Sequence, residues 1–354
     1  MNSGVKRSVL ALTAALLASA AAQFSVPSAA VATGNLRPAA APVKVTEVVR
    51  PEGHFTWQQL TPPVSPAPRS GFAMAYHRAG HRVIMFGGQV FGGRLNDTWA
   101  WDGSTWEQLH PTTSPPARNG AAFAYDPVRN ESVLFGGIDG DTPTPDTWVF
   151  NGDQWTQRHP ATSPPSLIGA KMAFDPNLRQ LLMFGGNDYD GVGFTKQTWT
   201  WDGTTWTKLQ PAHAPAPRVS HGLAYHPTRG TLILFGGGQG YPTDFGDTWS
   251  WDGKDWTQLS PSLSPPRRFS HAMATFGRRA VIFGGNRWTG DPYKDTWVLR
   301  STDEWANRSR AMSPHRRWGS LLEWDSARHE AVLFGGVVRG QSTNETWTLT
   351  RPRG

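Results

Sequence analysis

The sequence predicts an all-β chain of six four-stranded units closed into a ring. Three observations lead there. A Phe-Gly-Gly triplet begins at Phe86, Phe135, Phe184, Phe235, Phe283 and Phe334, with the first glycines 49, 49, 51, 48 and 51 residues apart. Nine to eleven residues after each doublet stands an acidic or amide residue followed by Thr-Trp, from Asp97-Thr98-Trp99 to Glu345-Thr346-Trp347. No stretch of the repeating region has a helical period, and turn signals fall between short apolar runs.

The elements of one unit follow in order. A first strand, such as Gly71 to Tyr76, alternates small and large residues. A second, Arg82 to Phe86, is an apolar run ending in the Gly doublet. A third carries Thr-Trp, as in Thr98 to Trp101, and a fourth starts at a further Trp, as in Trp106 to Leu109. Asp102-Gly103, Asn151-Gly152, Asp202-Gly203 and Asp252-Gly253 lie between third and fourth strands. Such pairs are the strongest hairpin signal, and predict two central residues at positive φ. Units of ~50 residues with four strands are propeller blades.

The ends of the array predict how the ring closes. Phe55 to Leu60, with Trp57, reads as an orphan fourth strand, while the chain ends on a third strand, Thr346 to Thr350. The N-terminal strand should complete the sixth blade and remove the open edge of a linear array. Fifteen of the 18 Trp fall in three repeating columns and are expected to be core.

These motifs, the Phe-Gly-Gly doublets, the Trp residues that follow and the Pro-Arg entry to the next strand, resemble the kelch repeat. The resemblance covers residues 55–350, with Trp in the third strand where Tyr is common in the family. It implies a six-bladed kelch-type β-propeller and a ligand face at the channel mouth. Within that family, galactose oxidase carries a copper radical site that needs a Cys–Tyr crosslink and has seven blades. This chain has no Cys and six blades, so it resembles a secreted bacterial kelch protein with that propeller but without the copper site. Sialidase Asp boxes are one residue longer than the Asp-Gly-x-x-Trp turn here, so that likeness is topological only.

Outside the array, Lys6 and Arg7 precede an uncharged apolar run, Val9 to Ala22, and Ala-x-Ala-like sites at Ala18 to Ala20 and Ala30 to Ala32. Residues 1–32 therefore read as a secretory signal peptide. The run is too short to span a bilayer, so no membrane insertion is expected. Residues 33–54 read as an Ala/Pro-rich flexible spacer. The expected localisation is secreted, as a monomer. The absence of Cys excludes disulfides, thiolate metal sites and a Cys nucleophile. The net charge of +7 is spread over scattered arginines, without the basic stripe of a nucleic-acid binder.

Candidate ligand groups follow from position. Arg69, Arg118, Arg218, Arg268 and Arg317 open the first strand of five units, with Leu167 in the remaining one. The resemblance suggests that such arginines can ring the channel mouth and bind acidic or polar ligands, since guanidinium forks suit carboxylates. The alternative is that they bond loop carbonyls and serve the fold. After the third, fourth and fifth Gly doublets the loop is nine or ten residues long, against eight elsewhere. Those loops hold Tyr189, Phe194, Tyr241, Phe245, Trp288 and Tyr293, and Trp318 follows Arg317 directly. Aromatics outside the repeat, on loops of a rigid scaffold, are binding candidates, with loop self-packing as the plain alternative.

Metal readings are thin, and neither metal nor cofactor is expected. His221 and His271 occupy equivalent positions in neighbouring units, as a metal pair or as structural histidines. Asn187 to Gly191 resembles a calcium loop but has Thr198 where a bidentate Glu belongs. Asp139 and Asp141 have no further ligands. Glu323 and Lys171 are the only charges in the small-residue columns of the first strands, on units too far apart for direct pairing to be expected. No catalytic residue is assigned. Two readings stand: an exported module that binds a glycan or cell-surface protein, and a sugar-active epimerase, mutarotase or hydrolase working at the loop face.

Overall fold

The computed structural model describes residues 55–191 and 193–351. The expected leader and spacer lie outside the described residues. The described residues form six four-stranded antiparallel sheets in chain order around one axis. In the first blade the strands are Ala73–His77, Arg82–Val90, Gly93–Trp101 and Trp106–Leu109, from axis to rim. The other inner strands are Ala122–Asp126, Lys171–Asp175, Gly222–His226, Ala272–Phe276 and Leu321–Asp325. Each inner strand adjoins the next, and the sixth adjoins the first, so the ring is closed. The all-β propeller expected from the repeats is the fold observed.

The N-terminal strand Thr56–Leu60 pairs antiparallel with Thr346–Thr350, in the register Thr56 to Thr350 through Leu60 to Thr346. Trp57 is buried there, and its Nε1 donates to Thr296 Oγ1 of the fifth blade at 3.0 Å. The same bond recurs at every blade junction. Trp106, Trp155, Trp206, Trp256 and Trp305 donate to Thr346, Thr98, Thr147, Thr198 and Thr248, at 2.9–3.1 Å. The Thr of Thr-Trp and the fourth-strand Trp are thus one stitch between neighbours, fully buried where such a bond is strongest.

The Gly doublet makes a second stitch. Gly88 N–H donates to the Arg118 carbonyl of the next blade at 2.9 Å, and Gly336 to that of Arg69 at 3.0 Å, closing the ring. The backbones approach so closely that a Cβ on Gly87 would lie 2.9 Å from both the Arg118 and Leu95 carbonyls. At φ +63° and +100° the doublet also bends the second strand in a way that L side chains rarely follow.

One turn differs from expectation. Trp101 pairs with Trp106, so four residues form the hairpin loop. Only Gly103 has positive φ, at 101°. Asp102 does not share it; its Oδ1 accepts from the Ser104 and Thr105 N–H groups at 2.7 and 2.9 Å. The acid shapes the turn by capping it, not by its own backbone.

Candidate binding face

The loops after the Gly doublets and the segments leading into the inner strands share one face. On that face a collar of peptides surrounds the channel. Gly120, Gly169, Ser220, Ser270 and Gly319 each donate an N–H to the matching carbonyl of the preceding blade, from Gly71 to Ser270, at 2.8–3.0 Å. Ser220 and Ser270 take φ of 55° and 51° to keep the collar in step with its glycines.

The five arginines do not reach this mouth. Arg69, Arg118, Arg218, Arg268 and Arg317 are each at most 1% exposed. Arg69 Nη1 and Nη2 donate to the two oxygens of Asp97 at 2.6 and 2.8 Å, Nη1 also to the Gly87 carbonyl at 3.0 Å, and Nε to Ala67 at 3.1 Å. Arg218 with Asp247 and Arg268 with Asp295 repeat that geometry. Arg118 pairs with Asp146 and Arg317 with Glu345. The expectation of a ligand-binding arginine ring is therefore corrected. Every fork is filled by its own blade, and each acid also accepts its neighbouring Trp Nε1, as Asp97 does from Trp99 at 2.7 Å. Burial opposes ionisation, yet the guanidinium bonds and charge hold Asp146, Asp247 and Glu345 below the usual carboxylate range.

The loop aromatics divide into four groups. Tyr293 stacks on the Arg268 guanidinium at 4.0 Å, as Phe245 does on Arg218 at 4.1 Å; both cap the internal clamps. Trp288 packs on Phe269 at 4.9 Å and meets the edge of Tyr241 at 6.0 Å, with its Nε1 donating to the Thr243 carbonyl at 3.2 Å. Tyr241 is exposed at the rim. Tyr189 is half-buried in its own loop, bonded through its N–H to Ser166. Only Trp318 and Phe194 line the central cavity. Trp318 is 7% exposed and bridged to Val337, so it is a wall and a core residue at once.

That cavity, of about 240 Å³, opens on the loop face and combines apolar walls, including Phe72, Phe194 and Trp318, with amides. Asn187 is 1% exposed, and neither its Oδ1 nor its Nδ2 has a hydrogen-bond partner. Asn119 spends its Nδ2 on Gln89 at 2.9 Å and leaves Oδ1 unmet. Unmet buried polar groups are uncommon and call for an explanation, and both amides belong to residues that line this cavity. Sequence reasoning missed Asn119 and singled out Asn187 only as the start of a calcium-like loop, not as an amide at a cavity wall. It also missed Phe91, fully exposed at the tip of the long Arg82–Val90 and Gly93–Trp101 hairpin. The signal was a second Phe-Gly-Gly at Phe91, out of register with the repeat.

Lys171 and Glu323 stand on the third and sixth blades, both facing the channel, and each feels the other's charge. Burial, then the weaker pull of the Tyr76 N–H and Lys171, leave Glu323 pushed up to about 8. His221 and His271 are buried beside them. Among the described residues no three His, Cys, Asp or Glu side chains come together as metal ligands. Asp139 and Asp141 are both exposed.

Comparison with known proteins agrees with this architecture. The profile of the KLHDC2/KLHL20/DRC7 Kelch-repeats domain matches residues 48–175 and 174–350. Adagio-like protein 3 of Oryza sativa subsp. japonica is 34% identical over 76 residues, or 21% of this chain. The match spans only 12% of that relative's length. With repeated clamps, stitches and doublets in a closed ring, and the profile covering nearly all of it, the chain belongs to the kelch-repeat family.

Proposed function

We propose that this propeller is an exported binding module that takes a glycan or a cell-surface protein on its loop face. The observation that carries the reading is Asn187, a buried amide with both polar atoms unmet at the wall of the 240 Å³ cavity. Paired amide donors and acceptors beside Trp318 and Phe194 suit a polar, ring-shaped ligand: hydroxyls bond the amide while ring faces stack on the aromatics. Kelch propellers are commonly protein-interaction modules, and Phe91 and Tyr241 offer exposed aromatic anchors for such a surface.

A sugar-active enzyme would need an acid and a base around one substrate. Lys171 lines the loop-face cavity and Glu323 the cavity on the opposite face. The space they share is about 60 Å³, the room of about two water molecules. No sugar ring fits between them, and this favours binding over turnover. An array of glycans, cell-wall polymers and cell-surface proteins probed with residues 33–354 tests the proposal. Saturable binding without product, lost in Asn187→Ala, is the expected result; product formation would overturn it.

A further inference from the structure

The axial channel is walled by small residues. Ala73, Ala122, Gly222 and Ala272 form one column, and Ala75, Ala124, Ala173, Ala224 and Ala274 another. Lys171 interrupts the first column and Glu323 the second. With His221 and His271 they line a cavity of about 60 Å³ inside the channel.

The two histidines have an unusual environment. His221 is fully buried and His271 is 3% exposed, and none of their four ring nitrogens has a hydrogen-bond partner. Packing holds the rings in place, edge-on to Phe184 and Phe235 of the preceding blades at 5.6 Å each. Gly222 makes room for one of them, since a Cβ there would lie 2.6 Å from His271 Nε2. Fixed, unmet polar groups on two residues that line one cavity from neighbouring blades call for a partner.

We propose that this cavity binds a small anionic group, either a free oxyanion or the carboxylate of a larger ligand, between the Lys171 ammonium, the two imidazoles and the Glu323 carboxyl. All four groups can donate. Burial, then the nearby Arg218 or Arg268 and Lys171, hold both histidines well below their ordinary value, so each is neutral and offers one N–H. Glu323, raised to about 8, keeps its proton at neutral pH and offers an O–H. The charged and titratable groups facing the site are Lys171, which burial lowers from its ordinary value against the pull of Glu323, Glu323 itself and the histidines, with Arg218 and Arg268 behind them. That balance attracts an anion and repels a cation. The size suits a carboxylate or phosphate group, since it matches about two waters at ~30 Å³ each. Lys171 and His271 also line the loop-face cavity, so an acidic group on a ligand seated there can reach down.

Calorimetry of the full chain with sodium acetate, inorganic phosphate and glucuronate tests this. The expected result is saturable binding that weakens at least tenfold in Lys171→Met. Affinity should fall, by up to tenfold per pH unit, as pH rises above about 8 and Glu323 ionises. Glu323→Gln should keep binding near neutral pH and flatten the fall that begins near pH 8, leaving only the loss of the Lys171 charge at higher pH, and it decides the matter should Lys171→Met not fold. Glucuronate binding tighter than acetate and weakened by Asn187→Ala assigns the group to a larger ligand; equal binding, indifferent to Asn187→Ala, assigns a free oxyanion. No saturable binding of any probe, or full binding by folded Lys171→Met, would overturn the site. A negative glycan array with positive acetate binding refutes only the glycan reading. A positive array of neutral sugars with no anion binding refutes only this one.

Discussion

Leu167 and Gln197 replace, as a pair, the arginine and acid that clamp every other blade. Leu167 is 1% exposed where the others bury a guanidinium, and Gln197 Oε1 still accepts the Trp199 Nε1–H at 2.9 Å. Neither charge survives without the other. A buried ion pair is costly to break from one side, because the remaining charge has lost its water and its partner.

Arg118→Leu should therefore cost about 3–5 kcal/mol, by stranding Asp146. Arg118→Leu with Asp146→Gln reproduces the third blade's solution and should recover most of that loss. Urea unfolding of the two variants decides it; equal destabilisation would show that the clamp is not one unit.

Closure of the ring gives a second expectation. Trp57→Ala removes a buried ring and the bond to Thr296, and should cost about 3–5 kcal/mol, as a core aromatic deletion does. Deletion through Leu60 leaves Thr346–Thr350 unpaired as an edge and should cause aggregation, read by light scattering. A truncated chain that stays monomeric with an unchanged melting temperature would contradict this.

Trp318 and Trp288, alike in sequence as aromatics outside the repeating columns, should behave differently. Trp318 is as buried as Trp99, 7% against 8%. Trp318→Ala should thus cost about 3–5 kcal/mol of stability, much as Trp99→Ala does. Trp288 is half-buried on the rim against Phe269, and its removal should cost no more than about 1 kcal/mol. Thermal melts of the three variants rank them, and a Trp288→Ala loss equal to that of Trp99→Ala would refute the distinction.

Two groups of acids should shape stability against pH in opposite ways. Asp146, Asp247 and Glu345 have depressed values in the fold, so their contribution is complete above the unfolded values of 3.8 and 4.5. It is lost as pH falls through the folded ones. Glu323 is raised from 4.5 to about 8, so the fold binds a proton that the unfolded chain releases. Stability should fall as pH rises from 4.5 to about 8, by at most ~1.4 kcal/mol per unit. Glu323→Gln should flatten that slope in denaturation between pH 5 and 8; an unchanged slope would place the effect elsewhere.

The fold was legible because its signals are repeated. Six Gly doublets, six Thr-Trp pairs and the orphan Trp57 each have a single consistent geometry, and one copy confirms another. The site was less legible for the same reason. Arg69 and its equivalents looked like a ligand ring, but recurrence reflected a clamp whose partner, Asp97, lies 28 residues away. Sequence spacing does not say which carboxylate folds back on which guanidinium. Asn119 reads as an ordinary polar letter and Asn187 as part of a calcium-like loop, and only burial without a partner distinguishes the two amides. Lys171 and Glu323 did stand out, because a charge in an alanine column is a local contradiction. That they line one cavity from opposite sides of the ring needed the closed propeller to show.

The last expectation separates function from architecture at Asn187. A residue kept for the fold loses stability when it is removed. Asn187 holds two polar atoms away from water with nothing to bond, which is a cost of ~1–3 kcal/mol that the fold carries. Asn187→Ala removes those atoms at the wall of the cavity. Stability should therefore hold or rise, while affinity for whichever ligand the array identifies should drop by about 1–3 kcal/mol, as for a central polar contact. Phe91→Ala should leave stability unchanged, since its ring touches nothing in the fold. It should weaken only those partners large enough to reach the hairpin tip. Paired melting and binding measurements on both variants provide the check. Asn187→Ala losing stability in step with affinity would make the amide a structural residue and remove the basis for the loop-face site.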